Sequence, residues 1–292
     1  MTVGIPTSLA PLSGFVLALV TTSVFTQDGL LWRQLDPANT VYMQIGKDEV
    51  IFELNPLFAP KTVEQFRRLV NEDFYRSLSF YRVIDGFVAQ GGDESDIDVP
   101  NSQPKLAAEF ELERAEEHHW TEVQRGDLFA PETGFIDGFA AAQDDKNTWL
   151  THCPGALAMA RNNEPDTGST DFYIVIGQAP RYLDRNLTIF GRVVHGMDVV
   201  QRIRRGKTQD NGVIGKDEDR SRISKMILAS EIPVEDRKEV YVMDTNSPGF
   251  NDYMQARRIR SHEFFHHKPP AVLDVCQVPI GTRIEKPSIL IP

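Results

Sequence analysis

Two-residue alternation, repeated in short segments, steers this chain toward an antiparallel β architecture. Val41, Met43 and Ile45 point one way, Gly46-Lys47-Asp48 turns the chain, and Val50-Ile51-Phe52-Glu53-Leu54 returns it, the pattern of a hairpin. Further short strands are expected over 79–84, 87–90, 156–161, 172–176 and 188–194, with a last one over 223–232 that Pro233 ends. Helical spacing interrupts them twice. Thr62-Val63-Glu64-Gln65 fits a capping box, and Val63, Phe66, Leu69, Val70 and Phe74 predict a helix over 61–73. A second helix over 197–204 presents Val200 and Ile203 to a core. Many short strands with two isolated helices suggest a barrel or sandwich whose ends are plugged by helices, and disfavour a parallel α/β sheet.

Composition narrows the partners. Lys and Arg number 31 against 42 Asp and Glu, a formal charge of −11 that disfavours nucleic acid, and 41% hydrophobic residues suffice for a core. Cys153 and Cys276 are too few for a disulfide scaffold and lack zinc-site spacing. They pair if the protein is exported and its tail packs near the Ala156 strand; otherwise they are small core residues. The run LAPLSGFVLALVTTSV over 9–24 is too short to span a bilayer confidently and resembles a secretory signal without the usual basic start. The expectation is an exported, periplasmic or secreted protein that is not integral to the membrane after processing. The alternative is a cytoplasmic protein with an apolar segment packed on the domain.

The chain divides into an N-terminal or signal segment (1–36), a main domain (37–232) and a C-terminal extension (233–292). The polar stretch 94–154, with only Phe139-Ala140-Ala141-Ala142 apolar, reads as an elaborated loop insertion. The extension carries a short strand at Val240-Tyr241-Val242 and a helix over 251–265, packs on the main domain, and could recruit a partner of unknown kind.

Chemistry concentrates in FYRVIDGFVAQGGD, residues 80–93. Alternation places Phe80, Arg82 and Ile84 on one face, so a guanidinium is interleaved with apolar neighbours; the plain alternative is an arginine snorkelling at a strand edge. Gly91-Gly92 suits close backbone approach. In ALAMARNNEPDTGSTDFYIVIG, residues 156–177, a small-residue strand leaves room for a ligand before an aromatic strand.

These stretches, with APKTVEQF at 59–66 and FGRVVHGMDVV at 190–200, resemble the cyclophilin-type peptidyl-prolyl isomerases from about Thr40 to Ile232. The resemblance implies a mainly β fold, an eight-stranded antiparallel barrel capped by two helices, here with a long insertion and a C-terminal extension. It assigns Arg82 as the catalytic residue and proline-containing polypeptides as substrates, during protein folding. Phe80, Phe87, Val88 and Gln90 match the wall and floor of the proline pocket, and Ala160 and Arg161 the edge that pairs with substrate backbone. Tyr173 and Leu183 match pocket residues, and Tyr182 stands where many members have Trp. Asp171 replaces a common Gln and Leu187 a frequent His. Asp171 is expected to pair with Arg82 or Arg161 and orient the guanidinium. The alternative is a catalytically weak cyclophilin-fold module that binds peptides.

The chemistry implied calls for no nucleophile, metal or cofactor. Amide resonance opposes rotation by about 18–20 kcal/mol, and the prolyl nitrogen regains a lone pair in the twisted transition state. A fixed cationic donor therefore favours that state over either planar one. An acceleration of about five powers of ten requires about 7 kcal/mol, of which one charge-assisted hydrogen bond supplies part. His262-Glu263-Phe264-Phe265-His266 formally matches the zinc pattern HExxH, but His267-Lys268-Pro269-Pro270 ends the helix at once, so a tail helix docking Phe264 or Phe265 on the barrel with solvated histidines is preferred to a metal hydrolase.

Overall fold

The computed structural model describes residues 29–94 and 103–285. The apolar run behind the signal reading lies outside the described residues. The chain opens with β1 (Trp32–Gln34), then β2 (Thr40–Ile45) and β3 (Asp48–Leu54), joined by the expected tight turn with Ile45 opposite Asp48. Helix α1 (Pro60–Asn71) leads to β4 (Ser79–Ile84) and β5 (Val88–Gly92). The insertion contributes β6 (Leu112–Glu113), β7 (Trp120–Arg125), β8 (Glu132–Ile136), β9 (Phe139–Gln143) and β10 (Asn147–Leu150). Next come β11 (Ala156–Met159), β12 (Phe172–Val175), β13 (Ile189–His195), the short helix α2 (Met197–Gln201), β14 (Ser221–Arg222) and β15 (Lys225–Leu228). The extension holds β16 (Glu239–Met243), α3 (Pro248–Ile259) and β17 (Thr282–Glu285).

The main sheet has nine strands in the order β14-β4-β5-β12-β11-β13-β3-β2-β15, all antiparallel. Its two edges belong to one segment. β14 pairs with β4 and β15 with β2, while Ile223 N donates to Leu78 O between them, so a single bent stave closes the sheet on itself. Counting that stave once, nine strands become the eight of a closed barrel. Closure removes the exposed edges that an open sheet would present. Phe52, Phe80, Phe172 and Phe190 fill the interior, and α1 plugs it with Val63, Phe66, Leu69 and Val70. Phe66 sits 5.0–5.9 Å from the rings of Tyr75, Phe172 and Phe190.

Several elements differ from expectation. The capping box does not form: Pro60 starts α1, and Glu109 from the insertion accepts from Lys61 N at 2.9 Å and Thr62 N at 3.0 Å. Gln65 instead donates to the carbonyls of Pro104 and Ser169. A tertiary carboxylate thus satisfies the helix N-terminus. Helix α2 ends at Gln201 rather than near Arg204, although Val200 and Ile203 are both buried as expected. The last barrel strand stops at Leu228, where residues 229–231 wind into a 3-10 turn.

The stretch read as a loop insertion is a five-stranded sheet of order β6-β10-β9-β8-β7. Its pattern misleads because Thr133, Gln143 and Thr148 are buried among alanines, with Gln143 donating to Glu132 at 2.6 Å. Its apolar face is completed by the barrel: Ile136, Phe139, Ala141 and Leu150 join Ala156, Ala158, Tyr173, Val175 and Ile189 in one cluster. The extension packs on this layer too. β16 lies between β1 and β17, and Phe250 of α3 meets Phe135 edge-on at 5.7 Å. A bridge joins Cys153 to Cys276. Buried Glu53 ties the layers together, accepting from Arg192 at 2.8 Å and Arg33 at 2.6 Å while both arginines also reach the Asp137-Gly138 turn.

Helix α3 ends at Ile259, with Arg260 in the left-handed conformation. His262, Glu263 and His266 therefore share no helical face, which removes the geometry the zinc pattern needs. No cluster of three metal-ligating side chains occurs among the described residues.

Candidate active site

A bulge in β4 places Arg82. Phe80 faces Gly91 and Arg82 faces Gln90, so Tyr81 is the extra residue in the ladder. Phe80 and Val83 consequently both enter the barrel interior, and Tyr81 and Arg82 both turn outward to Gln90. Phe80, expected on the proline-pocket wall, is a core residue meeting Phe172 at 5.9 Å. Simple alternation fails here because one inserted residue breaks its period.

The guanidinium is held from two sides. Arg82 Nη1 donates to Gln90 Oε1 at 3.1 Å, and Nε donates to the Asn211 carbonyl at 3.2 Å. Asn211 and Gly212 both have positive φ, and a Cβ at Gly212 would lie 2.5 Å from Ile84, so glycine is required for that loop to reach β4. Arg82 itself is half-buried.

Behind it runs a directed hydrogen-bond chain. Arginine only donates, so Gln90 must turn its oxygen to Arg82, and its Nε2 donates to the Tyr81 hydroxyl at 2.6 Å. That hydroxyl donates in turn to Asp171 Oδ2 at 3.0 Å. Asp171 thus acts through two intermediaries, where direct pairing with Arg82 or Arg161 was expected. The geometric reason lies in the packing. Asp171 is pressed against Gly92, where a Cβ would stand 2.1 Å from its Oδ1, so it faces the Tyr81 side of the site. Arg161 is committed elsewhere, donating to the carbonyls of Asn162, Asn163 and Asn186 and lying 5.7 Å over Phe110. Burial first, then the Asp171 charge and hydrogen bond, push the Tyr81 phenol well above the usual tyrosine range.

Phe87, Val88, Ala160, Tyr173 and Leu187 come together in a single apolar cluster. Tyr173 exposes only 5% of its surface and Val88 only 3%, because the insertion sheet backs them. A second polar chain anchors Tyr173. Its hydroxyl lies 2.8 Å from His152 Nε2, and His152 Nδ1 lies 2.9 Å from Asp184 Oδ1. A carboxylate only accepts, so Nδ1 carries the proton that faces Asp184. Arg181 Nε donates to Asp184 Oδ2 at 2.5 Å, and its Nη2 reaches Asp127 of the insertion at 3.3 Å. Burial, reinforced by Asp184, raises the Tyr173 phenol well above its ordinary range. Tyr182 and Leu183 lie on the adjoining 3-10 turn, Tyr182 exposed and Leu183 half-buried.

Tyr81, Asn211, His152, Asp184 and Arg181 are absent from the sequence reading of the site. Tyr81 stands beside Arg82, but only the bulge turns both to one face. The others approach from distant loops and leave no periodic signal.

An outward guanidinium on a closed, helix-plugged antiparallel barrel, with an apolar cluster between the barrel wall and the insertion sheet, defines the class of fold. The family model described as cyclophilin type peptidyl-prolyl cis-trans isomerase/CLD matches residues 40–226. A Brucella suis protein named for the same activity is 31% identical over 179 residues, 61% of this chain and 78% of that protein. Peptidyl-prolyl cis-trans isomerase B of Bacillus subtilis is 32% identical over 159 residues, 54% of this chain and 85% of its own. The solved structure of cyclophilin AquaCyp293 from Hirschia baltica superposes with a TM-score of 0.71 at 28% identity, covering 87% of this chain and 93% of that one. This chain belongs to the cyclophilin-type peptidyl-prolyl cis-trans isomerase family, and it is an isomerase.

Proposed function

We propose that the chain accelerates rotation about X-Pro bonds in flexible polypeptides, with Arg82 donating to the prolyl nitrogen of the twisted amide. The observation that carries this reading is the clamped guanidinium beside the Phe87, Val88 and Tyr173 cluster. Gln90 and the Asn211 carbonyl keep Arg82 from reorganising as the bond turns, the condition under which a donor favours the transition state. Apolar side chains exclude water from the pyrrolidine ring, and Ala160 packs on the same cluster with its N–H donating to the Asp171 carbonyl. No electron pair passes to the protein, so the step needs no cofactor.

Cis-to-trans exchange of a proline tetrapeptide, followed by NMR, tests this directly. Acceleration by the wild-type protein supports turnover; a folded protein that binds the peptide without accelerating exchange supports the binding-module alternative.

The same reading extends to compartment. A Cys153–Cys276 bridge belongs in an oxidising environment, and with the apolar run at 9–24 it supports export. Mass analysis of the protein from its native cells tests this: a processed N-terminus outside the cytoplasm agrees, and an intact Met1 in the cytosol contradicts it.

A further inference from the structure

The insertion and the C-terminal extension converge at one place. A groove of about 590 Å³ lies between the β7–β8 turn, the loop at Gln178–Arg181 and tail residues Val272–Gln277. Leu128 at the turn is 88% exposed, Phe129 49%, and Val272 on the opposite wall 57%. Large apolar side chains gathered in this way mark an interaction surface, and the volume falls in the range of ligand sites. The Cys153–Cys276 bridge fastens the tail wall beside Pro154, so two walls distant in sequence are held at fixed separation.

The floor of the groove is tied to the apolar cluster around Tyr173: Arg181 donates to Asp184, Asp184 meets His152, and His152 Nε2 meets the Tyr173 hydroxyl. Arg181 lines it, with its guanidinium 5.4 Å from the Phe129 ring centroid, and Arg181–Leu183 form one 3-10 turn. The next residue, Tyr182, is 67% exposed, and Leu183 follows it on the same turn. Charge selects the occupant. Arg181 is neutralised by Asp127 and Asp184, so the floor offers no free cation to an acidic ligand. Asp274 also lines it, its carboxylate accepting from Cys276 N, and the rest is apolar surface with the amides of Gln124, Gln178 and Gln277, suited to a large apolar side chain and its flanking backbone rather than to an anion.

We propose that this groove is a second subsite for the same polypeptide whose X-Pro bond occupies the proline pocket, and that it takes a large apolar side chain several residues from the proline. The inference rests on the isomerase reading above. It assigns the insertion, the tail and the disulfide a shared role: they select clients with exposed hydrophobic segments, as unfolded chains have.

The test compares wild type with Leu128→Asp, Val272→Asp and the double variant, all at exposed positions outside the catalytic machinery. Substrates are a proline tetrapeptide and peptides of about twelve residues carrying Leu-Phe or Ser-Ser at varied spacing on either side of one X-Pro bond, each residue extending the reach by about 3.3 Å. For at least one spacing, wild type should show a KM about tenfold lower with Leu-Phe than with Ser-Ser, the scale of one large apolar side chain leaving water. The double variant should lose that preference and keep tetrapeptide turnover unchanged. A wild type indifferent to Leu-Phe at every spacing, or a double variant that retains the preference, overturns the proposal. So does a wild-type dimer that Leu128→Asp converts to monomer in sedimentation, which makes the groove an interface between copies. If wild type fails on the tetrapeptide, the isomerase reading fails instead, and equilibrium binding of the long peptides then decides the groove by the same comparison.

Discussion

The Tyr81 hydroxyl donates to Asp171 Oδ2 at 3.0 Å and thereby fixes which way Gln90 faces Arg82. Two residues, Tyr81 and Gln90, thus stand between a buried carboxylate and the Arg82 guanidinium. Tyr81→Phe removes the relay while keeping the ring, so Gln90 loses its orienting partner. We expect kcat to fall about three- to tenfold, on the scale of one neutral hydrogen bond, with KM nearly unchanged. Asp171→Asn should cost less in kcat, because an amide oxygen can still accept from Tyr81. Steady-state kinetics on the tetrapeptide check both, and a rise in KM alone for Tyr81→Phe contradicts the relay.

The Tyr173 hydroxyl makes a different contribution. Tyr173→Phe leaves His152 Nε2 buried without its partner, at a cost of about 1–3 kcal/mol in stability. The ring stays in place, so tetrapeptide turnover should change less than twofold. Urea unfolding and kinetics on the same sample separate the two effects; intact stability with lost turnover contradicts this assignment.

Much of this was legible in the residues. The barrel strands and both helices follow from alternation and helical spacing, because each buries one face against a common interior. Arg82 is visible as a guanidinium set among apolar neighbours, whereas the site roles of Gln90 and Tyr173 come from the family resemblance alone. Phe80 was misplaced because a bulge is a single inserted residue with no composition of its own. The insertion sheet was hidden because its alanines and threonines carry little hydrophobic contrast and its second face is supplied by the barrel. His152 and Asp184 meet Tyr173 only in three dimensions.

Alkaline pH should reveal the buried phenols. Burial first, with Asp171 adding to Tyr75 and Tyr81 and Asp184 to Tyr173, raises all three above the ordinary value near 10.0. A raised acid stabilises the fold in full below its unfolded-state value and loses that contribution as pH climbs toward the folded one. Their contribution should therefore hold from neutrality to about pH 10 and then decline. Tyrosinate absorbance from these three should appear only as the protein unfolds. Reversible ionisation of all seven tyrosines in the folded protein contradicts the assigned burial.

The Cys153–Cys276 bridge closes a loop of sequence separation 123. Cys276→Ser should lower stability by about 2–4 kcal/mol, seen as a reduced thermal midpoint, with tetrapeptide turnover retained because the barrel is intact. An unchanged midpoint under oxidising conditions contradicts a structural role for the bridge.

The central claim is that Arg82 lowers the rotation barrier. The most direct measurement is tetrapeptide exchange by NMR for wild type and Arg82→Ala, with the fold of each verified by circular dichroism. The account predicts a loss of about 10²–10³ in kcat/KM for the folded variant, the scale for removing one preorganised transition-state donor. A folded Arg82→Ala protein with wild-type exchange rates would contradict it.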